Sequence, residues 1–150
     1  MASKIFLYAL QEIVQADIDL DGDTLKVALV MTGNSCATDA DNGTVDDIDA
    51  ITTDAIGDAT GTSRQTLANV SVALDDANDR VELDADDSVF SGLSGDASND
   101  YDGDLVYKHV VDDTDSIPIV WNEFSADVVL EATQVTIQWD AEGIVQFAGP

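Results

Sequence analysis

The sharpest ligand-type motif lies at Asp17, Asp19, Asp21 and Asp23, where the segment DIDLDGD sets carboxylates at alternate positions around Gly22. Alternate carboxylates converging on a glycine-assisted turn form the first half of an EF-hand calcium loop. The second half is missing: the position that should supply a bidentate Glu is Ala28, inside an apolar run. A solvated turn between two elements is the expected reading, with binding of Ca²⁺ or Mg²⁺ by these four aspartates as the alternative. No other cofactor is expected. Further aspartate clusters at 39–41, 84–87 and 96–104 follow from a chain in which 26 of 150 residues are Asp.

Other chemistry finds little to work with. Cys36 is the only cysteine and His109 the only histidine, so no internal disulfide forms and the pair is the one conceivable thiol nucleophile and base. Cys36 sits in the loop-like TGNSCAT and His109 in the strand-like LVYKHVV, and no third group is suggested to orient them. There is no glycine-rich phosphate loop, CxxC or HExxH, and no pair of carboxylates stands out for acid–base work. No enzyme activity and no catalytic residue is expected. Most aromatics fall at alternating strand positions, where core packing is the expected role; Trp121 and Trp139 are the two that could offer a stacking surface.

The five Lys and Arg face 31 Asp and Glu, a formal net charge of -26, while 45% of residues are apolar. Nucleic-acid backbones and anionic membranes are bound through clustered cations, so neither partner is expected. The longest N-terminal apolar run, residues 5–10, is too short for a membrane span or a signal peptide, and nothing argues for export. The sequons NGT at Asn42 and NVS at Asn69 would matter only in an exported chain. Self-repulsion is strong when the screening length is about 10 Å, as at 0.1 M salt, and weak when it falls to about 3 Å at molar salt. The composition reads as halophilic.

Hydropathy then arranges one domain over residues 1–150. Residues 4–15 carry Phe6, Leu10, Ile13 and Val14 at helical steps, with Ser3 as N-cap, and predict an amphipathic helix within residues 1–16. Residues 24–31 are apolar on both sides and predict a central strand. Residues 32–63 form a long polar excursion in which Val45, Ile48 and Ile51 keep helical spacing, predicting a helical turn near 46–50. Residues 64–150 read as β hairpins: 65–74 with 80–85, the latter continuing at 88–90, then 105–111 with 117–124, and 133–139 with 144–148. Residues 91–104 read as a loop, and Pro118 is expected near a strand start or on an edge. The fold class is mainly β, an antiparallel β sandwich or barrel-like domain with one N-terminal amphipathic helix.

Four segments together resemble a family of small β-rich virion structural proteins of tailed phages. They are DIDLDGDTLKVALV at 17–30, TLANVSV at 66–72 followed by NDRVELDADDSVF at 78–90, VYK at 106–108 with IPIVW at 117–121, and TIQWDAEGI at 136–144. The resemblance spans most of the chain. It implies a non-enzymatic β-rich particle component, and joined to the charge it implies a haloarchaeal tailed virus.

The expected function is that of a capsid decoration protein, a cement or turret coating the head of such a virus in high salt. Its expected partners are the major capsid protein and further copies of itself, as a homotrimer. Contact is expected through Phe6, Leu10, Ile13 and Val14 of the helix and Val45, Ile48 and Ile51 of the excursion. The expected location is the virion, with assembly in the host cytoplasm. The alternatives are a neck, tail or baseplate component of the same particle, and a host ion- or glycan-binding β module.

Overall fold

The structure is a computed structural model and describes residues 2–48, 64–91, 100–129 and 134–148. Its frame is a five-stranded antiparallel sheet in the order β1-β8-β7-β2-β3, built from Ala2–Ile5 (β1), Ile117–Val129 (β8), Asp100–Lys108 (β7), Leu25–Met31 (β2) and Gln65–Thr66 (β3). A second sheet, β10-β5-β4, joins Val145–Ala148 (β10), Arg80–Asp84 (β5) and Ser71–Asp75 (β4). Ser88–Ser91 (β6) pairs with Gln134–Ile137 (β9). With one α-helix among the described residues, Leu7–Val14 (α1), the protein is mainly β and antiparallel, as its hydropathy predicts.

β2 occupies the interior position expected of it, with Leu25, Val27, Ala28, Leu29 and Val30 all buried. Cross-strand partners share a face, so three rows can be followed through the sheet. Ser3, Asn122, Asp104 and Leu29 lie side by side on one face, followed by Ile5, Val120, Val106 and Val27. Lys4, Trp121, Leu105 and Ala28 form the corresponding row on the other.

The N-terminus departs from expectation. Residues 2–5 extend along β8, from Ala2 opposite Glu123 to Ile5 opposite Val120, and the helix starts only at Leu7. Phe6 is the N-cap, extended and without a capping side chain, and its N–H donates to the Ile119 carbonyl at 3.0 Å. A sheet edge with open carbonyls satisfies these amides better than an uncapped first turn, whose N–H groups have no partner within the helix.

Residues 65–74 are not one strand. Asn69 adopts φ 52°, a left-handed conformation that Asn tolerates, and the chain there leaves the main sheet after β3 to enter the second sheet as β4. The hairpin of β4 and β5 is as expected, Ser71 opposite Asp84 through Asp75 opposite Arg80. The closing hairpin is not: β9 pairs with β6 and β10 with β5, although Asp140 and Gly143 do form the turn, with Gly143 at φ 87°. Residues 88–90 therefore do not extend β5.

β7 starts at Asp100, within the stretch expected to be a loop, and ends at Lys108, before His109. Gly103 explains the early start, because the Trp121 indole lies across it and any Cβ there would overlap the ring and the Asn122 carbonyl. Pro118 is second in β8, where its missing N–H meets a register shift in the pairing with β7.

The described part of the excursion, residues 32–48, packs back onto the fold. Cys36, Val45 and Ile48 are buried, and the Lys4 ammonium donates to the carbonyls of Cys36 (3.2 Å) and Ala37 (2.7 Å). The helical turn expected near 46–50 is a single 3-10 turn at Val45–Asp47, closed by a Thr44/Asp47 capping box. The remainder of the excursion, residues 49–63, lies outside the described residues.

Candidate functional site

The acidic turn between α1 and β2 already holds a cation of the chain's own. Lys108, the last residue of β7, reaches across so that its Nζ pairs with Asp23 at 2.9 Å and donates to the Asp17 carbonyl at 2.7 Å. Asp23 Oδ2 also accepts the Asp19 amide N–H at 2.8 Å. Burial raises the Asp23 pKa, but the Lys108 contact and the Asp19 amide outweigh it and leave the carboxyl below its ordinary range. Among the described residues no group of three or more His, Cys, Asp or Glu side chains is placed to hold a metal. Asp17, Asp19, Asp21 and Asp23 thus line a turn clamped to β7, and their alternation along the sequence does not bring them to one point.

Cys36 and His109 lie at opposite ends of the β2–β7 pair. Cys36 follows the Met31 end, where Asn34 Oδ1 accepts its N–H and Asn34 Nδ2 donates to Asp102 at 2.8 Å. His109 follows Lys108, which pairs with Leu25, six residues away along β2 and so roughly 20 Å at ~3.3 Å per residue. Burial, reinforced by Asp102, pushes the Cys36 thiol up to about 12, away from a reactive thiolate. His109 is shifted down by burial and by Lys26 and Arg64, and its ring sits edge-on to Tyr107 at 6.4 Å.

The predicted contact residues divide by face. Phe6, Val45 and Ile48 are wholly buried and belong to the core, and Ile13 packs partly against it. Apolar helical spacing is the same whether a face meets the protein's own sheet or another molecule, so the expected partner contact at these positions gives way to core packing. Leu10 and Val14 do face outward, at 40% and 79% exposure, joined by Leu7 at 60%. Ile51 lies outside the described residues. The segment therefore carries two apolar stripes: Phe6, Ala9 and Ile13 inward, and Leu7, Leu10 and Val14 outward.

The site that sequence reasoning missed is the polar pair Asp104 and Asn122 in the middle of the main sheet, both almost fully buried. They are register partners on β7 and β8, and Asn122 Nδ2 donates to Asp104 Oδ1 at 2.9 Å. Among the described residues, neither Asp104 Oδ2 nor Asn122 Oδ1, both buried, has a hydrogen-bond partner. Burial pushes Asp104 up to about 7, against the opposing pull of the Asn122 hydrogen bond. An Asn inside the apolar run IPIVWNEF was the available signal; Asp104 was hidden by the loop assignment of 91–104.

Asn122 is also the deep wall of a cavity of about 510 Å³, between the β1–β8 edge of the main sheet and residues 139–146. Ser3 and Ile5 line it from β1; Trp139, Asp140, Glu142 and Gln146 line it from the other side. The Trp139 ring is held by its indole N–H, which donates to the Asp86 carbonyl at 3.0 Å, while the residue's backbone N–H donates to Asp87 Oδ1 at 3.2 Å. Of the two candidate stacking residues, Trp121 is 2% exposed against Gly103, whereas Trp139 lines this cavity.

Among the described residues no helix is long and apolar enough to cross a membrane. Compared with protein-family models, with curated proteins and with solved structures, the chain has no match in any of the three.

Proposed function

We propose that the protein is a non-enzymatic decoration component of a tailed-virus particle, seated on the major capsid protein through the outer face of α1 and adapted to concentrated salt. The observation that carries this reading is the stripe Leu7, Leu10 and Val14, exposed on a chain of net charge -26. A soluble surface so heavily carboxylated does not need three aliphatic side chains at steps of three and four on one short helix, and such a row fits an apolar groove on a partner. The resemblance of four segments to small virion proteins supplies the kind of partner, and a homotrimer fits the symmetric sites of a shell.

Replacing the stripe as Leu7→Ser/Leu10→Ser/Val14→Ser tests the reading in a chain whose core is untouched. The variant is expected to keep its β-type dichroism and to lose retention on particles lacking the wild-type protein. Full occupancy by the variant, seen by microscopy, contradicts docking through α1. Deleting residues 1–15 would be a poorer test, because it also removes β1 and Phe6 from the sheet.

A further inference from the structure

We infer that the cavity between β1–β8 and residues 139–146 is a binding site for a neutral saccharide. The volume of about 510 Å³ lies within the roughly 300–1,000 Å³ of small-molecule sites. Its deep wall carries Asn122, 2% exposed, with a carbonyl oxygen that no described residue satisfies. A buried acceptor left without a donor is costly, and a ligand hydroxyl supplies the donor.

The rest of the lining narrows the chemistry. Trp139 lines the cavity with an indole fixed by its N–H bond to the Asp86 carbonyl, an aromatic surface suited to the C–H face of a sugar ring. Ser3, Asp140, Glu142 and Gln146 are short or planar polar groups of the kind that grip hydroxyls. Glu142 is itself held by Arg80 at 3.2 Å and by Gln146 at 3.0 Å, so this side of the cavity is preorganised.

Two competing ligand classes fit less well. Anions are repelled by Asp140 and Glu142, and a wholly apolar ligand would leave Asn122 unsatisfied. An organic cation would be attracted by the carboxylates, but that attraction is screened over about 3 Å at molar salt, whereas stacking and short hydrogen bonds to a neutral polyol persist. The inference does not rest on where, or whether, the chain sits in a particle.

The full chain carries two indoles, one in the cavity and one buried elsewhere, which makes the test internal. In molar KCl, ¹H–¹⁵N spectra are recorded while glucose, galactose, N-acetylglucosamine and maltose are added in turn, with methylguanidinium as the charged comparison. At least one sugar is expected to shift the Trp139 indole signal saturably and leave that of Trp121 in place. The variant Asp104→Leu/Asn122→Leu removes both members of the polar pair together and is expected to abolish the shift; Ser3→Leu, which fills the cavity from β1, is expected to do the same in a chain whose buried pair is intact. No Trp139 response to any of the four sugars, a response to methylguanidinium alone, or undiminished binding by Ser3→Leu overturns the assignment. None of these results bears on capsid attachment, which is read on particles with the α1 variant.

Discussion

Asp104 is buried in the middle of the main sheet, opposite Asn122. Its folded pKa, near 7, lies about three units above the ordinary aspartate value, so between those limits the folded state holds a proton that the unfolded state has released. Its contribution is complete below about pH 4, declines as pH rises to about 7, and is then flat, a span on the order of 4 kcal/mol. His109, shifted down, tilts the upper part of that window the other way, and the lowered Asp23 and Asp112 act only at more acid pH. The difference between wild type and Asp104→Asn in urea midpoints from pH 4 to 8 isolates the Asp104 part. The wild type should lose stability relative to the variant as pH rises, and parallel profiles would show that Asp104 ionises normally. Gly103→Ala is expected to cost about 1–3 kcal/mol, because the new methyl meets the Trp121 ring and the Asn122 carbonyl. Little of this was legible beforehand: a buried Asp looks like a loop Asp when one residue in six is Asp, and only the cross-strand register shows Asp104 beside Asn122.

Elements were legible where one period dominated. β2 is apolar on both sides and is central, and the turn at 75–79 joins β4 and β5 as its composition indicates. Pairings across the chain were not legible, since adjacency in sequence favours a closing hairpin whereas β9 finds its partner 43 to 49 residues away and β10 finds its partner 62 to 68 residues away. Helical spacing at 6–14 was read correctly as a helix but not as two stripes with different fates. That difference is measurable. Phe6→Ala empties a fully buried site and is expected to cost about 3–5 kcal/mol, whereas each serine at Leu7, Leu10 or Val14 should change stability by only about 0.5 kcal/mol, as surface substitutions do. Equal losses on thermal unfolding would mean that the outward stripe is packed after all.

At the scale of the molecule, four of the five cations serve as internal clamps. Lys4 ties residues 36 and 37 to β1, Arg64 pairs with Asp113 and lies 5.5 Å from the Tyr107 ring centre, Arg80 gathers Asp75, Glu82 and Glu142, and Lys108 closes the acidic turn. The carboxylates outside these clamps repel one another, and salt relieves that repulsion more than it weakens the clamps, which are partly shielded. The melting temperature should therefore climb between dilute buffer and molar KCl, and a flat or falling dependence would remove the halophilic reading.

Composition pointed to this surface from the start, and the fold adds a short helix that presents aliphatic side chains through it. The measurement that tests the proposed virion role most directly is the copy number of the chain in purified particles of the tailed virus it is proposed to belong to, read by quantitative mass spectrometry against the major capsid protein. A decoration protein is expected in a fixed ratio to the capsid protein, set by the symmetry sites of the shell. A handful of copies per particle would place it at the neck or tail, and its absence from the particle would contradict the virion assignment altogether.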